Sequence, residues 1–172
     1  MDKLYIGIDP GKSGGIAMIY QDLLYVAKCP DTVHDMVDEM YKPIELIDGE
    51  TKSFCAIELV HSMPGQGVRS MFTFGQNYGN WLGILATLQI PYTIVSPSKW
   101  MKSYGSMPKD KKARKNHLKQ LAQQAWPKHK ITLATADAVL LAQYARHQDL
   151  FYVEADSLAN HSPQRATTKG LE

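Results

Sequence analysis

The sequence predicts an α/β domain built on a mixed five-stranded sheet. Residues 3–29 hold three β-rich runs separated by two short turns: "KLYIGID", "GGIAMIY" and "LLYVAKC". Two more β-rich runs, "SFCAIELV" and "PYTIVS", stand alone between helical patterns. Strands joined by tight turns form an antiparallel meander. Strands separated by helices give an α/β order, so the sheet as a whole is mixed.

Each element has its own signal. The turns of the meander are "PGKSG" and "QD"; Gly11, Gly14 and Gly15 are expected to supply positive φ angles. "DTVHDMVDEMYKPIELI" starts with Asp31 as a cap and spaces Val33, Met36, Val37 and Met40 as a helix does. Its acids and His34 read as a solvated face. "SFCAIELV" has few polar residues, as in a strand buried on both faces. "RSMFTFGQNYGNWLGILATLQ" is a helix with internal glycines. Such glycines cost stability, so close packing is expected there. Trp81, Leu82, Ile84 and Leu85 on it read as core or as a subunit face. "PSKWMKSYG" is a short helix closed by Gly105, and "KDKKARKNHLKQLAQQAW" a basic helix stopped by Pro127. "TADAVLLAQYARH" is the last amphipathic helix. The domain is expected over 1–149. The polar segment 150–172 is expected to be a loose tail.

Composition narrows the class. The chain has 172 residues, 44% hydrophobic and 21% charged, as one globular domain does. No apolar run reaches 18 residues, so no membrane span is expected. "MDKLYIGI" does not read as a signal peptide, because strand residues begin almost at once. Cys29 and Cys55 sit at strand-like positions and read as buried reduced thiols, which fits a cytoplasmic setting rather than secretion.

The net charge is only +2, but it is unevenly placed. Residues 99–130 carry nine Lys and one Arg against one acid, Asp110, a net +9 that leaves −7 elsewhere. Solvated faces usually mix signs; this stripe does not, and it points to a polyanionic partner.

"GKS" after the first strand resembles a phosphate-binding loop, but the spacing fails. That loop needs four residues between its first Gly and Gly-Lys-Ser/Thr, and Gly7 and Gly11 enclose three. It also needs a helix next, and a second strand follows here. No nucleotide cofactor is expected. Asp9 is left unexplained, a carboxylate at the end of an apolar strand, where Asp is disfavoured except as a turn starter before Pro. Glu58 is equally out of character near the end of "CAIELV", and Asp137 sits in the first turn of the last helix among small residues. Singly, Glu58 reads as an ion-paired strand end and Asp137 as a favourable charge on a helix dipole. Together, three carboxylates repel one another unless a cation neutralises them. Hard oxygen donors of this kind suit magnesium or manganese.

These residues carry a resemblance. "IGIDPGKSGGIA", "AIELVHSMPGQGVRSMFTFG", "IVSPSKWMK" with its following basic helix, and "ADAVLLAQYAR" resemble the RuvC-type Holliday junction resolvases of the ribonuclease-H-like superfamily, in a form often carried by bacteriophages. The resemblance covers residues 3–147, in the family's order. It implies a ribonuclease-H-like fold in which the three-strand meander is extended by two parallel strands and flanked by helices. It implies that Asp9, Glu58 and Asp137 hold two Mg2+ ions, with Mn2+ as a substitute and Asp9 between them. Two ions about 4 Å apart can stabilise both the attacking and the leaving oxygen of an in-line displacement. The implied activity is crossover-junction endonuclease: a homodimer nicks two opposed strands of a four-way DNA junction, leaving 5′-phosphate and 3′-hydroxyl ends. One departure stands out. The family usually has an acid or His about three residues before the last Asp, and here that residue is Ala134; His129 is nearby in sequence.

Further candidate DNA contacts follow. Phe72 and Phe74 can stack on an unpaired base or pack in the core. Lys99, Lys102, Lys109, Lys111, Lys112, Arg114 and Lys115 are candidate phosphate contacts. His61 follows Glu58 and reads more as structural than as a ligand. Three rival readings remain: a sugar-kinase-type phosphotransferase, for which the chain is too short; a flap or debranching nuclease; and a non-catalytic branched-DNA-binding relative.

Overall fold

The computed structural model describes residues 3–44, 51–61, 65 and 67–159. Strands β1 (Lys3–Asp9), β2 (Gly15–Tyr20) and β3 (Leu23–Lys28) are followed by α1 (Val33–Ile44) and β4 (Lys52–Glu58). Then come α2 (Val68–Thr87), β5 (Tyr92–Val95), α3 (Pro97–Lys102), α4 (Lys111–Ala125) and α5 (Ala136–Ala159). The sheet order is β3-β2-β1-β4-β5. The pairs β1–β2 and β2–β3 are antiparallel, and β1–β4 and β4–β5 are parallel. The mixed sheet read from the spacing of β-rich runs is therefore the observed one.

Period-two alternation divides the core into two layers. Leu4, Ile6 and Ile8 of β1 and Cys55 and Ile57 of β4 pack with Met36 and Met40 of α1 and Trp81 and Leu85 of α2. Tyr5 of β1 and Ala56 of β4 pack on the other side, with Trp100 of α3, Leu118 of α4 and the alanines of α5. Trp81, Ile84 and Leu85 are thus core, with Leu82 packed against them.

Helix α5 lies directly on β1. A Cβ at Gly7 would stand 2.1 Å from the Ala138 carbonyl oxygen and 2.2 Å from the Ala142 nitrogen, so only glycine lets the helix backbone come this close. The two run in opposite directions. Lys3 Nζ pairs with Asp149 at 2.8 Å, and Tyr5 Oη donates to Asp149 Oδ2 at 3.1 Å. Burial first, and then Asp149, pushes the Tyr5 hydroxyl up to about 12. Six strand steps span about 20 Å and twelve helical steps about 18 Å. Anchoring α5 at Lys3 therefore delivers its N-terminus to the Asp9 end of β1.

The structure corrects several local expectations. The cap of α1 is Thr32, not Asp31: Thr32 Oγ1 accepts from the Asp35 N–H at 3.1 Å. Of the three glycines in the first turn, only Gly11 has positive φ (104°). Gly14 and Gly15 are there for space. A Cβ on Gly14 would meet the Asp9 carbonyl oxygen at 2.0 Å, and one on Gly15 the Ala134 and Ala27 oxygens at 2.9 Å. The α2 glycines are not close-packed within the chain: a Cβ at Gly75, Gly79 or Gly83 meets nothing within 4 Å. Helical backbone continues to Ala159, so the boundary drawn at 150 falls inside α5; no Gly or Pro interrupts residues 146–159. Residues 160–172 lie outside the described residues. Cys29 and Cys55 are buried free thiols. Among the described residues no helix is long and apolar enough to cross a membrane.

Candidate functional site

Alternation carries two of the three carboxylates to one face. Asp9 follows Tyr5 and Gly7 at two-residue steps, and Glu58 follows Ala56, so both leave the sheet on the α4–α5 side. Their strands are parallel neighbours, paired up to Ile8 with Ile57, and the next step sets Asp9 beside Glu58. Asp137 comes from the first turn of α5, which Gly7 lets sit on β1. Thr132 and Thr135 shape the approach to that turn, with hydroxyls 3.0 Å apart. The site gathers at the C-terminal ends of β1 and β4, where α/β sheets commonly bind ligands.

The charges at this site work against one another. Asp9 is 9% exposed and Asp137 2%. Burial, then Glu58, then Asp137 push the Asp9 carboxyl well above its ordinary value, against the pull of Lys115. Burial also raises Glu58, while a hydrogen bond from Trp100 Nε1 to Glu58 Oε2 at 2.7 Å works to lower it. Asp137 Oδ2 accepts from Lys115 Nζ, and Asp137 Oδ1 is buried without a hydrogen-bond partner. Burial opposes the Lys115 charge, but Asp137, Asp9 and Glu58 outweigh it and hold the ammonium above its ordinary value.

A cation fits the donor set in kind, and the unpartnered Oδ1 of Asp137 is a buried acceptor for one. In the arrangement seen, though, no group of three His, Cys, Asp or Glu side chains among the described residues is gathered tightly enough to hold a metal ion. Lys115 supplies the positive charge instead. Ala134 lies in the turn before α5 rather than on its helical face, with its carbonyl against Gly15. His129 packs its ring edge-on to Trp126, with centroids 5.8 Å apart. His61 is exposed beyond β4.

The basic stripe separates into two parts. Lys99, Lys102, Lys109, Lys111 and Lys112 are exposed. Arg114 turns back, donating from Nη1 to the carbonyls of Pro108 and Lys109 at 3.3 and 3.2 Å. Lys115 turns inward to the acids, on the α4 face that carries buried Leu118 and Ala122. Asp110, the one acid of the stripe, is the N-cap of α4 and accepts from the Ala113 N–H at 2.8 Å.

The two phenylalanines also separate. Phe72 is 72% exposed. Phe74 is half-buried, its ring filling the space beside Gly11. Ser62, Met63, Pro64 and Gln66 of the quoted "HSMPGQG" segment lie outside the described residues. A groove of about 1100 Å³ runs between the β1–β2 turn and α2, with Lys12, Arg69, Phe74 and Asn77 in its wall. Asn77 Oδ1 accepts from the Gly11 N–H at 2.7 Å, which ties that turn to α2.

Sequence reasoning missed three residues. Gly7 fixes the approach of α5, Trp100 holds Glu58, and Asn77 holds the turn after Asp9. Only Gly7 left a signal, a glycine set between two isoleucines in the apolar run of β1.

With this geometry in hand, comparison with solved structures is decisive for the fold. A Thermus thermophilus RuvC in complex with a Holliday junction substrate superposes with a TM-score of 0.57, at 14% identity, covering 89% of this chain and 96% of that one. The chain has the ribonuclease-H-like fold of RuvC. A second RuvC structure from Thermus thermophilus matches with a TM-score of 0.55, at 15% identity and the same coverage. No family model matches the chain, and no curated protein matches it in sequence. At such identity it is the fold that is shared with RuvC, and function has to be argued from the site.

Proposed function

We propose that this chain is a metal-dependent endonuclease that resolves four-way DNA junctions. The observation that carries the reading is the convergence of Asp9, Glu58 and Asp137 on one face, within range of each other's charge and beside exposed cations. The RuvC with this fold in complex with a Holliday junction substrate supports the choice of DNA.

Asp9, Glu58 and Asp137 would hold Mg2+, or Mn2+ in its place. Two such ions would lower the barrier to in-line hydrolysis by balancing charge on the attacking and leaving oxygens. The protein's own part is alignment. Gly7 sets the distance between Asp9 and Asp137, Trp100 fixes one oxygen of Glu58, and the buried setting strengthens each charge interaction. Lys99, Lys102, Lys109, Lys111 and Lys112 would meet the phosphates of the arms, and Phe72 an unpaired base at the branch. Lys12 and Arg69 in the groove beside Gly11 offer a second cationic track.

A homodimer completes the reading, since a two-fold pair of sites matches a junction with two opposed strands to cut. Gly75, Gly79 and Gly83 support it. They stand four residues apart on α2 with open space above each, so a second helix backbone can come close. Sedimentation of Gly79→Leu should give a monomer where the parent gives a dimer. Strand scission mapped on junctions, flaps and Y-forms tests the activity. Paired symmetric nicks on the junction support it, and preferential flap cleavage would favour a debranching nuclease.

A further inference from the structure

The acidic centre already contains a cation of its own. Lys115 Nζ donates to Asp137 Oδ2, from a side chain 39% exposed to one 3% exposed. The same ammonium feels the charges of Asp9 and Glu58. It does not belong to the solvated face of α4, because residues 115, 118 and 122 share the helix face that packs into the core. On the opposite side of the carboxylate, Asp137 Oδ1 is buried and unpartnered.

We propose that Lys115 is the resident counter-cation of this site and that divalent metal binds by displacing it from Asp137. The inference rests on the metal-nuclease reading above. Three carboxylates in a low-dielectric pocket need compensating charge whether or not metal is present. A lysine ammonium suits the interim role, being a compact charge on a flexible four-carbon stem that can withdraw toward solvent. A divalent ion taken up by Asp137 Oδ1 would stand one carboxylate width from the ammonium on Oδ2, and two cations that close in a buried pocket repel, so they compete for the site.

Calorimetric Mn2+ titration of the full chain without DNA tests this apart from catalysis. Lys115→Met keeps the stem and removes the charge; it should bind Mn2+ about tenfold more tightly than the parent, a gain of about 1.4 kcal/mol. Lys115→Arg keeps the charge and should bind no more tightly than the parent. Lys112→Met, which removes an exposed charge from the same helix, should stay within about twofold. If Lys115→Met does not fold without metal, the Lys115→Arg and Lys112→Met pair and a melt of Lys115→Met in added Mn2+ decide: rescue by Mn2+ supports displacement, and no rescue overturns it. Equal or weaker binding by folded Lys115→Met overturns the proposal and leaves the nuclease reading standing. So does a gain in Lys112→Met as large as that in Lys115→Met. Failure of every variant to bind Mn2+ overturns the proposal and the metal reading together.

Discussion

Trp100 Nε1 donates a 2.7 Å hydrogen bond to Glu58 Oε2, joining the fully buried indole of α3 to the acid that ends β4. This bond favours the charged carboxylate and opposes the rise that burial imposes on Glu58. Trp100→Phe removes the donor and keeps most of the ring volume. Glu58 should then ionise at higher pH. Because metal binding requires the carboxylate, the pH midpoint of Mn2+ binding should move upward. An unchanged midpoint in folded Trp100→Phe would show that the bond does not tune the site.

Asp9 should destabilise the metal-free protein. Its folded carboxyl is raised above the ordinary 3.8 by burial and by Glu58 and Asp137. The contribution of Asp9 to stability is therefore most favourable below about 3.8 and is lost as pH rises through the folded value. Asp9→Asn should raise the Tm in chelator at pH 7–8, by about 2–4 °C for each kcal/mol relieved. At pH below 3.8 the difference should vanish. A variant that melts lower than the parent at neutral pH would contradict the repulsion described.

Gly7 is the contact on which the site's geometry turns. Its space is bounded by backbone atoms of Ala138 and Ala142, which cannot rotate aside. Gly7→Ala should cost about 1–3 kcal/mol or more by overpacking. It should also weaken Mn2+ binding, because α5 must lift and take Asp137 with it. Gly67→Ala, at an open position with negative φ just before α2, serves as the control and should leave the protomer folded. Equal thermal stability of Gly7→Ala and the parent would refute the close approach.

The exposed lysines should supply the salt-dependent part of DNA affinity. Each phosphate contact removed lowers the log–log salt slope by about 0.9 on duplex arms. Combined alanine replacement of Lys99, Lys102, Lys111 and Lys112 should flatten the slope by up to four such steps. Arg114→Ala should change it less, since Arg114 is engaged with the carbonyls of Pro108 and Lys109. An unaltered slope in the fourfold variant would make the stripe a solvated face.

The fold was legible because its signals are local. The meander shows as β-rich runs two to five residues apart, and each helix has its own stop or period. Asp9, Glu58 and Asp137 were legible because each breaks an apolar pattern. Lys115 was legible as a charge but not as a neighbour of Asp137, since the direction of a lysine depends on which face of α4 packs on α5. Trp100 reads in sequence as an apolar residue of a short helix; its bond to Glu58 depends on the parallel β4–β5 pairing that brings α3 over the end of β4. The α2 glycines read as a site of close packing, but sequence alone does not say what approaches them, and among the described residues of this chain nothing does.

The central claim is that the Asp9, Glu58 and Asp137 carboxylates cut branched DNA with metal. Its most direct test is incubation of the parent and Asp9→Asn with an end-labelled four-way junction in Mg2+, Mn2+ or chelator, with binding followed in parallel. The parent should make paired nicks with 5′-phosphate and 3′-hydroxyl ends in either metal and none in chelator, and Asp9→Asn should bind the junction without cutting it. Nicking by Asp9→Asn at the parent's rate, or cleavage by the parent in chelator, would contradict the account.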